Sequence, residues 1–291
     1  QVLPMSIYQN QKSFIPAPVD LPISSKELSR NLDKFYTKPE IARQCVADFE
    51  SWTGINLNTT KTDILEPSAG AGAFLDFLPS RTLAYDLLPE DPRIAQQDFL
   101  KLERRTPAIV IGNPPFGRSC CLAIQFFNHA VTFADQIAFI VPRTFEKVSI
   151  QNRLAPQFHL LEKRVLECDS FTFEGKSHPV PCVFQVWQRS ENLRPKIKLR
   201  TEHPDFKFVA RADADFAVQR VGSRAGAVKE NFENLVETTH YFIRANIPVQ
   251  EQLALFREID FSEVKARTAG QASVAKTEIV ALYSALKAKL R

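Results

Sequence analysis

The run Ala108-Ile109-Val110-Ile111-Gly112, stopped at once by Asn113-Pro114-Pro115-Phe116, constrains the fold more than any other stretch. Five apolar or small residues without alternation read as a strand buried on both faces, and such strands belong to parallel sheets covered by helices. Two adjacent prolines cannot continue a central strand, because neither donates to the ladder. The chain therefore leaves the sheet stiffly, with Asn113 at the strand tip. Strand tips of open α/β sheets are where ligands are held. An amide oxygen beside the flat apolar face of Phe116 suits a planar ring carrying an exocyclic amine. Adenine fits that description, and cytosine less uniquely.

The surrounding pattern repeats strand, loop and helix. Pro39 suits the first turn of a helix running to Phe49, with Ile41, Cys45, Val46 and Phe49 at helical spacing. Asp63 to Glu66 reads as a strand, Ser68 to Gly72 as a tight loop, and Ala73 to Leu78 as the start of a helix. Leu83 to Asp86 is a second strand, and Gln97-Asp98-Phe99-Leu100 marks the end of a third. An amphipathic helix is expected over Leu122 to Phe133, then a buried strand over Ile137 to Val141 stopped by Pro142. Leu160 to Leu166 and Pro181 to Trp187 read as antiparallel additions, with Phe171 and Phe173 on an exposed loop between them. The expected fold class is α/β: a Rossmann-like sheet, mostly parallel, with an antiparallel edge hairpin.

Residues 1–23, punctuated by Pro4, Pro16, Pro18 and Pro22, read as a polar arm, and Ser24-Ser25-Lys26-Glu27 as a helix start. Met5, the sole methionine, is the candidate natural start. The α/β core is expected over 24–190. Residues 191–291 are expected to form a small α+β extension, with β-like pieces at Phe206 to Ala210 and Phe216 to Val221 and helices near 249–258 and 273–290. That extension is the candidate substrate-binding region.

With 291 residues, 44% of them hydrophobic, the chain can bury a full-sized core. No run approaches the ~18 apolar residues of a membrane span, and no signal peptide is visible. The expectation is an intracellular protein without a membrane partner, cytoplasmic if prokaryotic or phage-encoded. Cys45, Cys120, Cys121, Cys168 and Cys182 form no C-x-x-C pair, so reduced thiols and no metal site are expected. The net charge of +4 is carried by the last third: residues 1–190 hold 20 basic and 20 acidic residues, residues 191–291 hold 17 and 13. This distribution is compatible with a nucleic-acid-facing tail.

Glu66-Pro67-Ser68-Ala69-Gly70-Ala71-Gly72 lacks the third glycine of a dinucleotide signature. A carboxylate at the strand end also argues against an anion in the loop. It favours a cationic ligand, and S-adenosylmethionine, with its ammonium and sulfonium, suits it better than a pyrophosphate. Asp86, at the end of the second strand, can accept from ribose hydroxyls. Asp98 can accept from an adenine amine and Phe99 can pack on its ring.

The order Phe35-Tyr36-Thr37-Lys38-Pro39-Glu40, then Glu66 to Gly72, Asp86, Asp98-Phe99 and Asn113-Pro114-Pro115-Phe116 resembles the class I S-adenosylmethionine-dependent adenine-N6 methyltransferases. It is the motif order of their gamma group, common among restriction-modification and phage enzymes, and it covers residues 30–190. The resemblance implies that Tyr36 and Thr37 close over the methionine end of the cofactor. Glu66 and the backbone near Gly70 and Gly72 hold its methionine and sulfonium region, Asp86 its ribose, Asp98 and Phe99 its adenine. Asn113 and the Pro114 carbonyl accept from the target amine, and Phe116 stacks on the target base. Pro115, Arg118, Phe171, Phe173, Arg220 and Arg224 are the further substrate-side candidates, with Arg143 and Lys229 as additional phosphate contacts.

The implied activity is methyl transfer to adenine N6 in DNA. RNA adenine methylation uses the same pocket, and protein glutamine N5 methylation the same Asn-Pro-Pro geometry. A non-catalytic nucleic-acid-binding module with a relic pocket is the reading from another class.

Overall fold

The computed structural model describes residues 36–167, 170–173, 176–177, 180–268 and 270–290. The arm over 1–23, the helix start at Ser24 to Glu27, and Phe35 and Cys168 lie outside them. The chain enters through a two-residue strand β1 (Tyr36–Thr37) and a helix α1 (Pro39–Thr53). Pro39 occupies the first turn with Glu40 beside it, where a fixed φ and an acidic side chain both favour helix initiation. The apolar stripe buries Ala42, Cys45, Val46 and Phe49.

The strands β2 (Asp63–Glu66), β3 (Leu83–Asp86) and β4 (Ala95–Gln96) follow, then β5 (Ala108–Gly112), α2 (Cys121–Ala130) and β6 (Ala134–Pro142). A one-turn helix α3 (Val148–Gln151), β7 (Phe158–Val165), β8 (Phe171–Phe173), β9 (Lys176–Ser177) and β10 (Cys182–Arg189) complete the first part. Seven of these strands form one sheet in the order β4-β3-β2-β5-β6-β10-β7. From β4 to β6 every pairing is parallel, and β10 runs antiparallel to both its neighbours. This is the expected Rossmann-like sheet, mostly parallel with an antiparallel pair at one edge. All five β5 residues are buried, as their unbroken apolar run requires.

The chain runs outward from β2 to β3 to β4, then returns across β2 to build β5 and β6 on the other side. The direction reverses between β2 and β5. In a doubly wound sheet that switch point opens a crevice beyond the carboxyl ends of the two strands. Here those ends are Glu66 and Gly112.

Two local expectations are corrected. Ala73 to Leu78 does not begin a helix. It stays in overlapping turns, with Leu75 N–H donating to Gly72 O and Phe77 N–H to Phe74 O, while Phe74 and Leu78 still reach the core. Pro79 follows directly, and the residue before a proline is driven out of the helical region. Phe171 is not on an exposed loop. It lies in β8, which pairs antiparallel with β1, and its side chain is fully buried.

Beyond β10 a second sheet is built from β11 (Phe206–Val209), β12 (Phe216–Gln219), β13 (Val228–Lys229) and β14 (His240–Ala245), in the antiparallel order β11-β14-β12-β13. The helices α4 (Val249–Glu258), α5 (Ser262–Ala266) and α6 (Lys276–Lys289) accompany it. Phe206, Phe216, Ile243, Phe256 and Tyr283 share a hydrophobic cluster of this layer. Burying each large apolar side chain contributes about 1.5–3 kcal/mol, so the extension has a core of its own. Several contacts among the described residues tie it to the first part, Asn152 with Ile197 among them. Arg194, in the connecting segment, donates to the carbonyls of Gln151, Leu154 and Phe158. Lys147 pairs with Glu278 at 3.1 Å.

Candidate active site at the strand tips

Glu66 closes β2 with only 2% of its surface exposed. Its Oε2 is buried and has no hydrogen-bond partner among the described residues. Burial pushes its carboxyl well above the usual range, and the negative charge of Asp86 pushes the same way, with Arg93 opposing. A carboxyl in this state becomes an anion readily only when a cation is brought to it. The neighbouring strand leaves it room: a Cβ on Gly112 would meet Glu66 Cγ at 3.2 Å and Pro67 Cδ at 3.3 Å. The glycine lets the tips of β2 and β5 approach, and so sets Asn113 beside Glu66.

The loop after Glu66 is held by Asp86. Gly70 N–H donates to Asp86 Oδ2 at 2.8 Å, and Leu88 N–H donates to Oδ1 at 2.8 Å. Both carboxylate oxygens therefore fix the turn while each keeps acceptor capacity for a further donor. Gly70 and Gly72 have φ of +54° and +83°, which a side chain would resist. These two positions are where the sequence has to supply glycine.

β1 brings the segment before α1 to the same place. The Tyr36 ring lies over Gly70, 3.7 Å from where a Cβ would stand, and its hydroxyl donates to Glu90 Oε1 at 2.6 Å. Burial and this acid raise the phenol pKa, so the hydroxyl remains a donor. Thr37 is buried, and its Oγ1 accepts from Asn113 Nδ2 at 3.1 Å. Thr37 and Asn113, 76 residues apart in sequence, bring the two motifs together through that hydrogen bond. Pro114 is buried, Pro115 half-buried, and Phe116 is 8% exposed within the core cluster on this face of the sheet.

The turn after the motif is strained. Gly117 has φ +67°, and Ser119 and Cys120 follow at +52° and +62°, a conformation that non-glycine residues rarely adopt. The buried Cys120 thiol, its pKa raised by burial, contacts Thr144 Oγ1 at 2.8 Å. Nothing in the sequence pattern announced this strain, nor Glu90 as the partner of Tyr36.

Other candidates are placed differently. Asp98 caps the single turn Phe99–Lys101 by accepting from Leu100 N–H, and pairs with Lys101 at 3.4 Å. Phe99 is 1% exposed and stacks on Phe126, with His129 and Phe133 edge-on. The free ring face expected of it is spent in the core. Phe171 is likewise buried, and the side chain of Phe173 lies outside the described atoms. Arg118 is exposed beside the motif, whereas Arg143 donates to Glu146 Oε2 at 2.7 Å. Arg220 and Arg224 belong to the second layer; Arg220 lies over the Tyr241 ring, and Arg224 is exposed. Among the described residues no group of three or more His, Cys, Asp or Glu is placed to hold a metal, and no helix is long and apolar enough to cross a membrane.

No family model matches the chain, and no curated protein matches its sequence. Solved structures resemble it over about half its length. PH1948 from Pyrococcus horikoshii, a candidate RNA methyltransferase, is 14% identical, with 55% of this chain and 88% of that one covered and a TM-score of 0.41. The 23S rRNA methyltransferase ErmE is 16% identical, with 57% and 72% covered and a TM-score of 0.39. Trm5 of Methanocaldococcus jannaschii, solved with adenosine, is 15% identical, with 55% and 51% covered and a TM-score of 0.36. Strand order, rather than these distant likenesses, carries the fold assignment.

Proposed function

We propose that this protein transfers a methyl group from S-adenosylmethionine to the N6 amine of adenine in DNA. The observation that carries the reading is the Thr37–Asn113 hydrogen bond. It fixes the Asn113 amide at the strand tip, an orientation that suits recognition of a substrate amine. The buried, partnerless Glu66 Oε2 supports the cofactor: it suits an ammonium or sulfonium group and repels a phosphate. S-adenosylmethionine supplies an electrophilic methyl group when bound. Glu66 and the loop at Gly70 and Gly72 hold its methionine portion, Tyr36 and Thr37 cover it, and Asp86 accepts from its ribose.

The N6 lone pair of adenine is conjugated into the ring and is a weak nucleophile. Asn113 Oδ1 and the Pro114 carbonyl accept from its two N–H groups, which draws the nitrogen toward tetrahedral geometry and stabilises the positive charge that develops there. The methylated ammonium is acidic and loses its proton to solvent, so no strong general base is required. A base in a duplex has to be flipped out first, and the apolar wall at Phe116 offsets its lost stacking.

Purified protein supplied with labelled S-adenosylmethionine and duplex DNA, single-stranded DNA or RNA tests the reading by nucleoside analysis. N6-methyladenine in DNA is the expected product. Transfer to RNA alone overturns the choice of polymer, and transfer to no nucleic acid overturns the function. Asn113→Ala is expected to lower transfer by about 10²–10³-fold while cofactor binding, read by calorimetry, is retained.

A further inference from the structure

The second layer carries two cations on one aromatic pedestal. Arg220 lies over the Tyr241 ring at 5.1 Å, and Lys276 Nζ lies over the same ring at 5.6 Å and over Phe208 at 4.9 Å. Among the described residues no carboxylate stands within ion-pair distance of either, although acids elsewhere in this layer are paired, such as Asp205 with Lys287 and Asp213 with Arg244. Arg220 Nε is buried and has no acceptor. The backbone of Arg220 is bonded separately from its side chain, donating to Thr239 O and accepting from Val274 N–H. Two like charges held at one ring without a counter-charge are poised for an anion.

Their surroundings extend the positive field. Phe208 and Lys276 line a groove of about 780 Å³ with Lys207, His203 and Thr201, against the single acid Glu202. The segment entering that groove carries Lys196, Lys198 and Arg200, all exposed. Lys276 opens α6, and the pair Glu278–Lys147 fastens that first turn to the chain just after β6. The carboxyl end of β6 belongs to the same sheet edge as Glu66 and Asn113.

We propose that the Arg220–Tyr241–Lys276 cluster and the basic segment 196–200 bind consecutive phosphates of a single-stranded nucleic acid whose target base enters the strand-tip site. A file of cations fits a polymer backbone better than one isolated phosphate. An unpaired strand can follow the groove and deliver its base without the cost of flipping. This inference deepens the methyltransferase reading and rests on it.

The test measures binding of a fluorescent 12-nucleotide adenine-containing strand, its duplex form and free AMP across a salt series. The wild-type protein is compared with Arg220→Gln/Lys276→Gln and with the charge-conserving Arg220→Lys/Lys276→Arg. Each neutralised phosphate contact contributes about 0.7 to the salt slope of a single strand, so the Gln pair is expected to lower it by about 1.4. The Lys/Arg pair is expected to retain the slope, which separates charge from folding. An unchanged slope in a Gln pair that melts normally overturns the proposal. So does a preference for duplex, or AMP binding as tight as the 12-mer and lost in the Gln pair.

A wild-type protein that binds the 12-mer with the variant-sensitive slope yet methylates nothing would sink the methyltransferase reading and leave the phosphate site standing.

Discussion

Two glutamates at one sheet edge have opposite fates. Glu66 ends β2, and Glu146 sits in the turn Arg143–Glu146 just after β6; their exposures are 2% and 7%. Glu146 is saturated: Arg143 Nε donates to Oε2 at 2.7 Å and Lys163 Nζ to Oε1 at 2.5 Å. Burial pushes its pKa up, but the bonds from Lys163 and Arg143 prevail and hold it below the usual carboxylate value. Glu66 has a buried oxygen with no partner, and its pKa is raised. Equal burial thus yields a structural anion in one place and an unmet demand for a cation in the other. The proposed function gives that demand an occupant in the cationic end of the cofactor.

Replacing each acid by Gln should separate the two roles. On the proposed function, Glu66→Gln removes the partner of the cofactor's cationic end; losing one member of a buried ion pair costs about 3 kcal/mol, or roughly 10²-fold in affinity. Calorimetry with S-adenosylmethionine reads this directly. Retained affinity would break the contrast at its stronger side. Glu146→Gln should leave cofactor affinity within about twofold and instead cost about 1.5–3 kcal/mol of stability, since the half-buried Arg143 and the exposed Lys163 lose their charged acceptor. Denaturant titration checks that loss.

The pKa directions sharpen the same contrast through pH. Glu66 binds its proton more tightly in the folded protein, so its stabilising contribution is complete below its unfolded pKa and disappears as pH rises through the raised folded value. Glu146 behaves oppositely: its contribution is present above its unfolded pKa and is lost as pH falls through the depressed one. Without cofactor, Glu66→Gln is therefore expected to melt about 2–4 °C higher than wild type at neutral pH, with the gain vanishing near pH 4. A gain that persists at pH 4 would place its origin outside the carboxyl.

Much of this edge was legible in the sequence because its signals are local. Apolar runs mark β2, β3, β5 and β6, and Pro67, Pro114 and Pro142 punctuate the ends of β2, β5 and β6. Glycines with positive φ betray the loop at Gly70 and Gly72. What could not be read depends on partners distant along the chain. β1 is two residues long and exists only by pairing with β8, some 135 residues away. That pairing buries Phe171, which residue type alone had assigned to a surface loop. The packing of Phe99 on Phe126, His129 and Phe133 has the same character, since a sequence shows that an aromatic is present but not which side of the chain it faces. The strand His240–Ala245 was missed although it is central to the second sheet, because His240 and Arg244 interrupt its apolar run. The salt bridges that distinguish Glu146 from Glu66 come from β7 and a turn, and no spacing rule announces them.

The smallest effect concerns the cover over the glycine loop. Tyr36 contributes a ring above Gly70 and a hydroxyl to Glu90, while Glu90 N–H independently donates to Gly70 O at 3.1 Å. Tyr36→Phe keeps the ring and the backbone bond and removes only one hydrogen bond in an exposed setting, worth about 0.5–1 kcal/mol. Cofactor affinity should fall by about two- to fivefold, a change calorimetry resolves. Tyr36→Ala also removes the ring, exposing the loop and the crevice beside Glu66 to water, and should cost more. If Phe and Ala weaken the cofactor equally, the hydroxyl rather than the ring is the functional part of the cover. A graded loss, small for Phe and larger for Ala, would instead show that the ring keeps water from the Glu66 carboxyl, and so preserves the difference between this acid and Glu146.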